Sequence, residues 1–254
     1  MIGIDQTGSI KKDNTPKPLY VTIFDVKKNL FYTNLFLNDF QFNSLKQLFK
    51  KIDVRLIDQK CLILVDAALG LPKELKISIH DLLKRAKSFS FNKKLFGMDV
   101  AERFYRSFLS NAELNNWPTR QCEVLTKANS VFQKHPFQKN IGCGSFRILK
   151  QLANADIKYK MGPFQKMTPK DQFYIYETYP SWIWKNIFHF DYRESTLLEK
   201  KLKIQFLSMD HSDSYISTLF VQHLIQLNQF DECLNLKLNQ SITKYEGWIF
   251  GLKN

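Results

Sequence analysis

The chain has 254 residues, enough to bury a large core in one domain or two small ones. Lysine and arginine number 37 against 24 acidic residues, and the net charge of +13 favours a polyanionic partner if the fold gathers it, although a generally lysine-rich composition gives the same count. No run approaches the roughly 18 apolar residues of a membrane span, the start carries an acid at its fifth position and no cleavable apolar segment, and the four cysteines lack paired zinc spacing. The composition therefore predicts a cytoplasmic protein with no membrane partner.

Residues 1–6 read as a short strand in which Ile2 and Ile4 bracket Gly3. Asp5 is delivered to its tip, where the turn Thr7-Gly8-Ser9 lets a substrate or metal approach the backbone. A loop over 11–18 leads to a second strand at 19–25, a turn at Lys27-Lys28-Asn29 and a third strand at 30–37. Phe42, Leu45, Leu48, Phe49 and Ile52 then recur at helical spacing. The run Cys61-Leu62-Ile63-Leu64-Val65 predicts a strand buried on both faces. It ends in Asp66, where open α/β sheets place ligand-binding residues.

Residues 73–96 are weakly patterned and read as partly helical. From Val100 a helix buries Ala101, Phe104, Tyr105 and Phe108 and turns Arg103 and Arg106 to a second face, where they either touch phosphate or are solvated. Residues 111–144 are loop-like, broken by Pro118 and Pro136, but Trp117, Val131, Phe132 and Phe137 need packing partners, which predicts an ordered wall. Gly142-Cys143-Gly144-Ser145 reads as a turn into a helix whose inward residues are Phe146, Leu149 and Leu152. A strand over 172–177 ends in Glu177 and is closed by Pro180. Helices follow over 197–206 and after Asp210, the latter with Ile216, Leu219, Phe220, Leu224 and Leu227 in period. The order predicts a single α/β domain over 1–254, with an inserted substrate-facing region at about 73–165.

Asp5 and Asp66 end separate strands, while Asp210 and Asp213 stand three apart at a helix start, on one side of its first turn. Hard oxygen ligands converging from different elements suit Mg²⁺ or Mn²⁺, and two such ions about 4 Å apart support phosphodiester hydrolysis. Glu177 is a candidate fifth ligand, and His211 a candidate for orienting water or touching the scissile phosphate. Taken singly, each residue has a plainer reading: Asp210 or Ser208 as helix cap, Asp66 as turn cap, His211 as a surface histidine. Cys122, His135 and Cys143 lack a local fourth ligand for zinc.

Three leading strands, a helix and a strand ending in Asp66 resemble the ribonuclease H-like superfamily, and Asp210-His211-Ser212-Asp213-Ser214 resembles the last acidic pair of its resolvase branch. More narrowly, Gly3-Ile4-Asp5-x-Thr7-Gly8, Val65-Asp66-Ala67-x-Leu69-Gly70-Leu71-Pro72, Ala101-Glu102-x-Phe104-x-Arg106, Glu177-x-Tyr179-Pro180, Asp210-His211-x-Asp213-Ser214 and Glu246-Gly247-Trp248-Ile249 resemble the domain of unknown function 429 family. That family is described as predicted nucleases. The resemblance implies a mixed sheet flanked by helices, Mg²⁺ or Mn²⁺ as cofactor and nucleic acid, DNA or RNA, as partner. It implies Asp5, Asp66, Glu177, Asp210 and Asp213 as the metal and catalytic set, joined by His211. Thr7, Arg106, Lys139 and Arg147 are the expected substrate contacts. Ser214 stands where the resolvase-like pattern usually has a small apolar residue, a departure that costs no ligand. Two rivals remain: a non-catalytic nucleic-acid-binding or scaffold protein, and a phosphotransferase of the actin and sugar-kinase group, which would need a second domain copy.

Overall fold

The computed structural model describes residues 1–5, 19–32, 48, 60–89, 98–111, 113, 116–132, 141–191 and 195–253. Strands β1 (Ile2–Asp5), β2 (Tyr20–Asp25), β3 (Leu30–Tyr32), β4 (Cys61–Asp66), β5 (Tyr159–Met161) and β6 (Phe173–Glu177) form one mixed sheet in the order β3-β2-β1-β4-β6-β5. β2 runs antiparallel to β1 and β3, whereas β1, β4, β6 and β5 are parallel. The expected helix over 42–52 lies outside the described residues except for Leu48, which is buried in the core.

Register and the two-residue period of a strand sort the side chains onto two faces. Ile2 pairs with Ile63 and Ile4 with Val65, and this face is covered by α1 (Ile79–Ser88), α2 (Met98–Arg106) and α4 (Ile141–Ala153) through Leu82, Phe104, Phe146 and Leu149. Leu62, Leu64, Tyr174 and Tyr176 occupy the other face. They meet α5 (Pro180–Asn186) and α7 (Met209–Gln226) through Trp184, Ile216, Phe220 and Val221.

The region expected as an insertion, 73–165, is thus the helical cover of one sheet face and also supplies edge strand β5. Its apolar residues had no alternative core to join, because the sheet is apolar on both sides. Within it, α3 (Gln121–Thr126) is a helix that Pro118 and the polar composition concealed. Gly142 to Ser145 are helical rather than a turn. A Cβ on Gly142 would meet the Val131 carbonyl at 2.8 Å, so this glycine serves close packing and not chain reversal. α6 (Ser195–Leu202) and α8 (Phe230–Leu234) complete the named helices. Among the described residues, no helix is long and apolar enough to cross a membrane.

Candidate metal centre

Gly3 decides where the acids meet. It shares the α7 face with its register partners Thr22 and Leu64, and a Cβ there would lie 2.0 Å from the Ser214 carbonyl oxygen of α7. Without that Cβ the helix backbone seats directly on β1. Small polar residues line the contact: Ser212, Ser214, Ser217 and Thr218 are all buried. The hydroxyls of Ser214, Ser217 and Thr218 donate to the carbonyls of His211, Asp213 and Tyr215, which satisfies them inside the helix. Ser214 and Thr22 also share a hydrogen bond of 2.9 Å between their hydroxyls, tying α7 to β2. The serine that departs from the resolvase-like pattern therefore has a packing role.

Two residues beyond Gly3 and Leu64, the same face carries Asp5 and Asp66, which are register partners at the ends of adjacent parallel strands. The start of α7 brings Asp210 and Asp213 against them. Burial first, then the negative charges of Asp66, Asp213 and Asp210, holds the Asp5 carboxyl well above the usual range. A hydrogen bond to Asp210 adds to this. Asp66 is likewise raised, first by burial and then by Asp213, Glu177 and Asp210. Asp213 accepts a hydrogen bond from the indole N–H of Trp184 at 3.1 Å, which orients it from beneath. These carboxyls sense one another, although among the described residues no three His, Cys, Asp or Glu side chains close on a common point as a finished cage. That spacing suits like charges without a counter-ion, which relieve repulsion by standing apart and sharing protons. Their all-oxygen chemistry suits a hard divalent cation.

Glu177 leaves the sheet on the opposite face, because it is in register with Val65 and not with Asp66. Both its oxygens accept from Arg120, at 2.7 and 2.8 Å, and one also accepts from the Leu69 N–H. As a metal ligand it would have to share an oxygen with that guanidinium. Arg120 further binds Glu123 at 2.8 Å and the Glu246 carbonyl. Burial acts to lower the Arg120 pKa, but Cys122, Glu177 and Glu123 outweigh it and hold the guanidinium charged. Glu246 accepts from the backbone N–H groups of Lys73 and Gln121, joining three distant segments. The sequence reading assigned no role to Arg120, Glu123, Glu246 or Trp184. The three-residue spacing of Arg120 and Glu123 was the available signal, since it forms a capping box at the start of α3.

His211 is fully buried, so it is neither a surface histidine nor open to substrate. Its Nδ1 accepts from the Leu207 N–H, its ring lies against Tyr20 and Phe206, and burial lowers its pKa. Ser208 caps α7 by accepting from the His211 N–H, as its residue type allows. Arg147 is 8% exposed within α4, which is buried along most of its length, and so does not face a groove. Arg106 is solvated and pairs with Glu102 one helical turn away. Thr7, Lys139 and His135 lie outside the described residues. Cys122 and Cys143 sit in different apolar clusters, and burial pushes the Cys122 thiol up to about 12, unsuited to zinc ligation.

The turn of Lys27 and Lys28 lies at the sheet end opposite the acids, since β2 enters beside Asp5 and leaves beside Met1. Beside Asp66, on the Glu177 side, a cavity of about 200 Å³ opens at the carboxyl ends of β4 and β6. Comparison of the chain with protein-family models, with curated proteins and with solved structures finds no match.

Proposed function

We propose that this chain is a metal-dependent phosphodiester hydrolase acting on nucleic acid, with a ribonuclease H-like fold of the resolvase branch and membership of the domain of unknown function 429 family. One observation carries the reading: Asp5 and Asp66 are register partners at the tips of adjacent parallel strands, and α7 lays Asp210 and Asp213 against them. The antiparallel β2-β1 start followed by parallel β4 supports the fold assignment. Bound Mg²⁺ or Mn²⁺ supplies the activation of water and the stabilisation of the leaving oxygen, for which two ions are the expected complement.

The chain's own residues do the holding. Asp5 and Asp66 give up their protons as a cation enters, Asp213 stays oriented by the Trp184 indole, and Asp210, less buried than Asp213, stands at the open edge. Arg120 fixes the loop after β4 through Glu177 and Leu69. Positive charge needed to draw a polyanion is in excess over the whole chain, at +13.

The test is cleavage of single-stranded, duplex and branched DNA and RNA with Mg²⁺, Mn²⁺ or chelator. Asp5→Asn and Asp213→Asn should each abolish metal-dependent cleavage, because an amide keeps the shape but is a poorer hard-cation ligand. Cleavage that persists in chelator, or survives in both variants, removes the proposal. A non-catalytic binding module would show neither cleavage nor a dependence of nucleic-acid binding on these four acids.

A further inference from the structure

The cavity at the ends of β4 and β6 is built for something the acid cluster does not explain. Asp66 borders both, so whatever fills the cavity lies next to the acids. Thr178, immediately after Glu177, lines it and is 2% exposed, and its hydroxyl oxygen is buried with no hydrogen-bond partner. A buried hydroxyl left unpaired is unfavourable and is rare without a ligand or water to satisfy it.

Charge restricts the occupant. The Arg120 guanidinium in the wall is engaged by both oxygens of Glu177, by Glu123 and by the Glu246 carbonyl. Two carboxylates against one guanidinium, with Asp66 beside them, leave the cavity negative and repel phosphate. Ala67, Ala128 and Ile249 supply apolar wall, and the half-buried Tyr179 stands beside them. At about 200 Å³ the space is too small for an oligonucleotide but has room for one ring system.

We propose that this cavity receives one nucleobase of the substrate, an amino-bearing base whose N–H groups donate to Thr178 Oγ1 and Asp66, with its phosphodiester lying outside against the acids. This rests on the nuclease reading for the identity of the substrate, but the cavity binds the base without metal. Extruding a base into a snug site lined by a ring and fixed polar groups is an established means of reading nucleic acid.

The experiment is calorimetric titration of the full chain in chelator with deoxyadenosine, deoxycytidine, deoxyguanosine and thymidine, and with inorganic phosphate and ribose as separate arms. Amino-bearing nucleosides should bind, thymidine should bind less tightly, and phosphate should neither bind in the cavity nor compete. Thr178→Val, which keeps the shape, should weaken nucleoside binding by about tenfold, the equivalent of one lost hydrogen bond. Ala128→Phe should fill the cavity and abolish it, with thermal unfolding used to confirm that both variants fold. No nucleoside binding by the wild type, equal binding in both folded variants, displacement by phosphate, or equally tight binding of ribose alone would each overturn the proposal. Nucleoside binding with no metal-dependent cleavage of any nucleic acid would remove the nuclease reading and leave the base site standing.

Discussion

Replacing Gly3 by alanine tests the contact on which the acid cluster depends. The added Cβ would sit 2.0 Å from the Ser214 carbonyl oxygen and 3.1 Å from the Thr218 methyl, and contacts below 3.0 Å are essentially never seen for real Cβ atoms. The obstruction is helix backbone, so no side-chain rotation relieves it, and α7 must back away by about 1 Å. In an unobstructed strand alanine would gain about 0.5–1 kcal/mol from reduced chain entropy. Overpacking costs about 1–3 kcal/mol, and weakening the Ser214–Thr22 bond adds about 1 kcal/mol, so the clash decides the sign. A net loss of about 1–3 kcal/mol corresponds to a melting temperature lower by about 2–12 °C for a chain of this size. The same retreat carries Asp210 and Asp213 away from Asp5 and Asp66. A displacement of about 1 Å costs on the order of 100-fold when geometry governs the chemistry. Thermal unfolding and Mn²⁺ calorimetry on Gly3→Ala and on Asp5→Asn/Gly3→Ala read the two effects apart. The thermal loss should persist in the double variant, and the effect on metal affinity should not. An unchanged melting temperature with unchanged Mn²⁺ affinity would refute the account of how α7 is seated.

How much of this was legible in the sequence depends on whether it was local. Strand-end acids, the unbroken run of β4 and the helix after Ser208 are local patterns, and Asp5 and Asp66 come together as they imply. Glu177 looked equivalent because it also ends a strand, but its face depends on pairing with Val65, and register between distant strands leaves no mark within one strand. The same limit hid Arg120. A buried guanidinium is recognisable only from partners at positions 123, 177 and 246, which the fold alone assembles. His211 misled for the opposite reason: a polar residue in a helix's first turn suggests exposure, whereas here that turn is buried under Phe206 and against Tyr20. Gly3 was read as part of a strand leading to a ligand turn, and its larger consequence lies across the sheet in Ser214.

The remaining predictions follow from the same buried charges. Arg120→Met should destabilise the chain by about 3–5 kcal/mol, because Glu177 and Glu123 lose their buried counter-charge. Adding Glu177→Gln should recover part of that loss in thermal unfolding, and a single variant as stable as wild type would contradict the network. Trp184→Phe keeps an aromatic ring under Asp213 but removes the N–H donor, so it should cost about 1–2 kcal/mol and weaken Mn²⁺ binding measured by calorimetry. The pH dependence is the most direct reading of the acid cluster. Asp5 and Asp66 have folded-state pKa values raised by burial and by one another, so the folded chain binds more protons than the unfolded one. Stability should therefore be greatest, on their account, below the ordinary carboxylate value of 3.8 and decline as pH rises from there through the raised values. His211 acts in the reverse sense, because its lowered pKa favours the unfolded chain as pH falls below 6.5. The difference between wild type and Asp5→Asn separates the two, since His211 is common to both. Metal-free Asp5→Asn should gain on wild type as pH rises above about 4, and saturating Mn²⁺ should reverse that order, because the cation supplies the counter-charge that protons provide in its absence. Parallel stability curves for the two proteins from pH 4 to 8, with and without Mn²⁺, would show that Asp5 is not part of a charge cluster and would leave it as a strand-end residue only.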